Sequence, residues 1–151
     1  DEAGVNRGLI HHYFGSRRAL LRAAVDRGIR MSRETYEEHR RNAPEEKAEW
    51  NFGIFMEHPG FARLVVLLAL DGDTSFGPIA FAHERVRDME REKAEGALPR
   101  NTDPVGLITF WDSILLGYTV IREAAAAQFG IPVAELDGRV LATLMQPPGS
   151  A

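Results

Sequence analysis

At 151 residues with 44% hydrophobic content, the chain can build one ordinary domain, or a small module joined to a larger one. The absence of cysteine excludes disulfides and thiolate metal sites and is compatible with a reducing compartment. No apolar run reads as a membrane span or a signal peptide, so a cytoplasmic protein without membrane contact is expected. The net charge of −4 would argue against nucleic-acid binding if it were evenly spread, but it is not. From Val5 to Arg22 there are four arginines and no acid. Residues 1–41 carry nine basic and six acidic side chains, and the remainder nine and sixteen.

The first stretch with local logic is Ala3-Gly4-Val5-Asn6-Arg7-Gly8-Leu9-Ile10-His11-His12-Tyr13-Phe14. Gly4 supplies a left-handed helix stop, Val5 a small apolar plug for a tight turn, and Asn6 an N-cap for a new helix. Ile10 and Phe14 stand four apart and point inward together, which leaves Arg7, Gly8, His11 and His12 outside. Arg7 suits phosphate or guanine. Gly8 lets a partner's backbone come close, and the imidazoles and Tyr13 can hydrogen-bond to phosphates or base edges. Ser16 then caps a further helix with Arg17 and Arg18 in its first turn. Cations there oppose the macrodipole, an unfavourable choice unless an anion such as phosphate lies nearby. The pattern is the turn and second helix of a helix-turn-helix plus the helix that braces it. Only Asp1-Glu2-Ala3 stand before the turn, and residue 1 is not Met, so helix 1 and most of helix 2 are expected to precede this sequence.

The helix from Ser16 carries Leu20, Leu21, Ala24 and Val25 on one side, and its pattern continues past Gly28 to Met31 and Tyr36. Pro44 marks a break and suits a first helical turn, which places a domain boundary between residues 43 and 44. The next segment turns apolar at Trp50, Phe52, Ile54, Phe55 and Met56. A second break at Glu57-His58-Pro59-Gly60 precedes Phe61–Leu70, apolar nearly all round and so expected to be buried. Pro78 is expected to open a helix through Phe81, Val86 and Met89 that Gly96 ends. Asp103-Pro104 is an N-cap and first-turn pair opening a long helix to Phe129, which Gly130 and Pro132 stop. A last helix runs from Val133 to Met145.

The long helix is the most informative part of the body. Its apolar arc, from Phe110 and Ile121 through Leu107, Tyr118 and Trp111 to Leu115 and Ile108, covers close to half the circumference, so it must meet more than one neighbour. Gly106, Ser113, Gly117 and Ala124 line one edge with small residues, which fits either a tight crossing within the chain or a contact with a second copy. Asp112 falls on the polar side and is expected to be exposed. The aromatic and methionine side chains of the body read first as ordinary core.

The pattern Gly-Val-x-x-Gly-x-Ile-x-x-Tyr-Phe-x-Ser-Arg-x-x-Leu-Leu resembles the tetracycline-repressor (TetR) family of bacterial regulators over about the first 27 residues. The resemblance implies that Arg7, Gly8, His12, Tyr13 and Arg17 fall on positions that touch DNA. Asn6, Leu9, His11 and Arg18 lie in the same segment and complete the expected DNA-binding set. His11 replaces a phosphate-binding tyrosine, and Leu9 stands where a smaller residue faces the bases. The resemblance also implies dimerisation through the last two long helices, with Gly106, Phe110, Ser113, Gly117, Ala124, Leu136 and Val140 as interface. It implies, further, an effector pocket in the body, for which Asn51, Phe55, Phe81, Trp111 and Tyr118 are the candidates and a small hydrophobic molecule the expected ligand.

An enzyme is the main competitor. His11 and His12 are adjacent and diverge on a helix, no His-Glu-x-x-His or Glu-x-x-His occurs, and no phosphate-binding loop or nucleophile-base pair stands out. Neither a catalytic residue, a metal nor a cofactor is expected. A helical ligand-carrier or protein-interaction module without DNA binding is the alternative, against which the arginine-rich stretch speaks. The expected fold is all-α. A partial helix-turn-helix DNA-binding domain with its connecting helix occupies residues 1–43, and a helical effector-binding and dimerisation domain residues 44–151. The expected protein is a homodimeric, ligand-responsive repressor of a palindromic operator in double-stranded DNA.

Overall fold

The computed structural model describes residues 12–146, and every regular element among them is an α-helix. After helical residues 12–14 come α1 (Arg17–Met31), α2 (Arg33–His39), α3 (Pro44–Glu57), α4 (Pro59–Leu70), α5 (Ala82–Glu95), α6 (Pro104–Phe129) and α7 (Val133–Leu144). The capping residues act as their chemistry requires. Ser16 Oγ accepts from the Ala19 amide and Asp103 from the Val105 amide, each satisfying an amide that the helix itself cannot. Pro44, Pro59 and Pro104 all sit in first turns, where no amide donor is missed. At Gly96 and Gly130 the chain leaves its helix in the left-handed region (φ 82° and 66°), which costs glycine nothing.

Three expectations about elements are corrected. The helix from Ser16 does not run through to Tyr36. It breaks at Ser32, whose Oγ donates to the Ile29 carbonyl and gives the backbone a local alternative to the helical ladder. Gly28, within α1, makes room for Phe61, since a Cβ there would stand 3.0 Å from that ring. Pro78 does not open α5, which starts four residues later. Phe81 takes a left-handed conformation (φ 54°), and its ring stacks on Tyr36 at 4.3 Å under the Arg33 guanidinium. Such a backbone costs a non-glycine residue about 1 kcal/mol or more, and the stacked ring offsets part of it. Finally, α4 is not buried all round. Ala62, Val65 and Leu68 are, but Leu67 and Leu70 are 40% and 79% exposed, because α1, α3 and α6 cover only part of so short a helix.

The core forms where α4 meets α1 and α6. Val25, Val65 and Leu68 are its fully buried centre, with Leu21, Ile29, Phe61, Leu64, Phe76 and Leu116 packed around them. This cluster crosses the boundary placed at residues 43 and 44, joining a helix from one side of it to two from the other. α6 is the hub, touching α3, α4, α5 and α7, so the wide apolar arc does meet several neighbours. By length and composition α6 would also suit a membrane span, with a mean hydropathy of 1.4 over its best window. The core helix of a globular body satisfies the same criteria; 28% of that window is buried, and Ile108, Asp112, Leu115, Thr119 and Ala126 are among the buried residues of α6.

α5 is held differently. Its buried residues are two acids, Asp88 and Glu92, because a sequence so rich in charge has few apolar groups to offer. Arg40 from the chain after α2 donates to both oxygens of Asp88 at 2.9 and 2.8 Å, and Lys47 of α3 pairs with Glu92. On the α6 side Arg85 reaches Asp112 with two 2.8 Å hydrogen bonds. The expected exposure of Asp112 is thereby overturned, since it is 4% exposed. Helical phase alone put it on a polar side; the fork of Arg85 makes that side interior. Burial, and then the neighbouring Asp88 carboxylate, push the Tyr36 hydroxyl up to about 12.

Candidate nucleic-acid interface

Asn6, Arg7, Gly8, Leu9 and His11 lie outside the described residues, so the structural account of this end begins at His12. His12 and Tyr13 are exposed on a short helical piece, their rings edge to face at 5.2 Å. Gly15 turns the chain (φ 73°), Ser16 caps α1, and Arg17 and Arg18 project into solvent from the first turn, as the capping pattern requires.

The anion that those two cations call for is present within the chain. Arg17 Nη1 donates to Asp71 Oδ2 at 2.9 Å, and Arg18 Nη2 donates to the Asp71 carbonyl at 3.1 Å. One turn on, Arg22 Nε pairs with Asp73. Asp73 also accepts the amide and the hydroxyl of Ser75, at 2.9 and 2.8 Å. The Arg22 hydrogen bond, aided by Ser75 and opposed by burial, holds the Asp73 carboxyl well below the usual carboxylate range. The loop after α4 thus answers three arginines at the head of α1. In the sequence Asp71-Gly72-Asp73 reads only as a helix stop; its partners lie more than fifty positions earlier.

The five residues named for an effector pocket lie on α3, on α6 and at the turn before α5. Phe81 is committed to Tyr36 and Arg33. Tyr118 donates to Asp137 of α7 at 2.6 Å, and its ring lies 6.1 Å from that of Phe52. Burial foremost, and then Asp137, raise the Tyr118 hydroxyl above the ordinary tyrosine range. Asn51, Phe55 and Trp111 are half-buried in α3 and α6. A hollow of about 580 Å³ lies between the chain leading into α3 and the end of α5. Arg41, Arg91, Glu92 and Glu95 give it a charged wall of both signs.

The expected interface residues on α6 share one uncovered side. Phe110 is 60% exposed, and Ser113, Gly117 and Ala124 are exposed along the same face together with Ile121. A Cβ on Gly117 would meet nothing within 4 Å, so no crossing among the described residues requires its smallness. Gly106 has a local reason instead: a Cβ would stand 2.9 Å from the capping carboxylate of Asp103. Leu136 and Val140 are half-buried, and Arg139, Val140, Thr143 and Leu144 of α7 form a shallow apolar hollow of about 190 Å³. Among the described residues no group of three or more His, Asp or Glu side chains is placed to hold a metal ion.

Comparison with known families gives one match. Residues 1–24 fit the family model described as bacterial regulatory proteins, tetR family. That segment runs through the predicted recognition helix into the head of α1. Searches among curated proteins and among solved structures gave no match.

Proposed function

We infer, from the match of residues 1–24 to the model of the tetR family of bacterial regulatory proteins, that the protein is a DNA-binding transcriptional regulator acting as a homodimer. The observation that carries the reading is the match over residues 1–24, on the one stretch of the chain that is basic and free of acids from Val5 to Arg22. Each subunit inserts Asn6–Phe14 into the major groove, with Arg7 and the His11, His12 and Tyr13 side chains at bases or phosphates and Arg17 and Arg18 on the backbone. Residues 1–43 do this work, and residues 44–151 pair the subunits and sense the effector.

The uncovered α6 face supports the dimer, since an apolar stripe bearing Phe110 and Ile121 beside small residues is the surface a second copy of the same helix fits. Two-fold symmetry then asks for a palindromic operator. The regulatory sense we propose is repression relieved by a small hydrophobic molecule, which lowers DNA affinity only as far as it favours the conformation with wrongly spaced recognition helices. The α1, α4 and α6 contacts around Val25 and Leu68 provide a continuous packed route from body to head. As a regulator acting on DNA, the protein works in the cytoplasm, away from membrane, and performs no catalysis.

The testing experiment is binding to the DNA flanking the protein's own gene at about 50 and about 200 mM salt. Several phosphate contacts predict a loss of orders of magnitude between the two. Arg17→Ala should weaken binding on all sequences alike and flatten the salt slope, while Arg7→Ala should also blur specificity. Absence of salt-steep binding would favour a helical module whose partner is not DNA. Sedimentation of Gly117→Leu tests the dimer: monomers are expected, and an unchanged dimer would move the interface off this face.

A further inference from the structure

The loop Asp71-Gly72-Asp73 contacts the head of α1 in two unlike ways. The Asp73 side chain is 1% exposed, and its carboxylate is fully engaged by Arg22 and Ser75, which makes it a pin. Asp71 and Arg17 are exposed, at 38% and 62% of their side chains, and share a single hydrogen bond of 2.9 Å. An ion pair of that kind is weak and readily exchanged. A phosphate oxygen offers the same guanidinium the same type of acceptor with a full charge behind it.

We propose that the Asp71 carboxylate is an intramolecular stand-in for a DNA phosphate, occupying Arg17 until the duplex displaces it. The proposal rests on the DNA-binding reading above and adds to it a built-in competitor. The loop that carries Asp71 leaves α4 after Leu70, less than one turn beyond Leu68 in the centre of the core. Any rearrangement that moves α4 against α1 therefore also changes how firmly Arg17 is held. The body can in this way grade DNA affinity through one charge, without touching the recognition helix.

The test uses the full chain and a mixed-sequence DNA duplex followed by fluorescence anisotropy at about 50 and about 200 mM salt. Asp71→Asn should bind roughly two- to five-fold more tightly at the lower salt, the range set by an exposed ion pair. Its log–log salt slope should be steeper by up to about 0.9, because Arg17 no longer releases a carboxylate when it takes a phosphate. In an Arg17→Ala background the same substitution should gain nothing. Asp26→Asn removes an equal charge from an exposed position on α1 and should gain less. Asp71→Ser, which keeps a hydroxyl at this helix end, replaces Asp71→Asn if the latter fails to fold by circular dichroism. Equal or weaker binding by the Asp71 variant, an equal gain from Asp26→Asn, or a gain that persists without Arg17 would overturn the proposal. If neither the parent nor the Asp71 variant binds duplex, the DNA-binding reading itself falls and the competitor with it.

Discussion

Asp112 shows how one side chain can set the character of an element. It lies on the long apolar helix with both oxygens on Arg85, and the two side chains are 6% and 20% exposed. A buried pair of this kind contributes little net stability against an apolar replacement, yet breaking it strands a charge. Asp112→Ala should therefore cost about 3 kcal/mol in urea unfolding, and the double change Asp112→Leu with Arg85→Met should recover most of that. A single-variant loss below about 1 kcal/mol would mean that water reaches Arg85 and takes over. Asp73 offers a pH test. Its carboxyl is depressed in the folded chain by Arg22 and Ser75, so its stabilisation is full above the unfolded value near pH 4 and is lost as pH falls through the folded one. Asp73→Asn should lower Tm at neutral pH, with the gap to the parent narrowing steadily in acid. A gap that stays constant would remove the carboxylate charge from the account.

At the scale of elements, two mid-helix glycines with different surroundings separate propensity from packing. Gly53 in α3 has open space where a Cβ would go, whereas Gly28 in α1 has the Phe61 ring at 3.0 Å. Alanine favours a helix interior by about 1 kcal/mol over glycine. Gly53→Ala should stabilise by about that amount in thermal or urea unfolding. Gly28→Ala should gain less or lose outright, because α1 and α4 must move apart or Phe61 must turn. Equal gains at both positions would show that the α1 and α4 contact yields freely, and with it the route proposed from body to head. α5 adds a contrast: its hold on the rest of the molecule is largely electrostatic, through Arg40, Lys47 and Arg85.

For the molecule as a whole, the small shared core carries unusual weight. Leu68 is fully buried where α1, α4 and α6 meet, and few large side chains are enclosed to the same degree. Leu68→Ala should cost about 3 kcal/mol, the middle of the range for a leucine cavity. Because the cluster joins helices from both sides of residue 43, the loss should appear as one cooperative transition in which α1 and the body unfold together. Two separate transitions would show that α1 and the body are stable independently, and would remove the packed route proposed between them.

Much of the architecture was legible in the chain because it rests on local chemistry. Ser16, Asp103-Pro104, Gly96 and Gly130 mark helix ends by hydrogen bonding and backbone freedom that depend on a few neighbouring residues. The Gly-Val-x-x-Gly pattern likewise pointed to a helix-turn-helix without any distant contact, and the family match over residues 1–24 agrees. Tertiary structure alone decided what depends on partners far away in sequence. Arg85 made Asp112 interior, Tyr36 held Phe81 out of α5, and the side of α4 bearing Leu70 found no neighbour among the described residues. Most of all, the loop at Asp71 and Asp73 supplied the anions for Arg17 and Arg22, across separations of 54 and 51 residues that no local pattern encodes. Helical periodicity says which face a residue is on; only packing determines what that face meets.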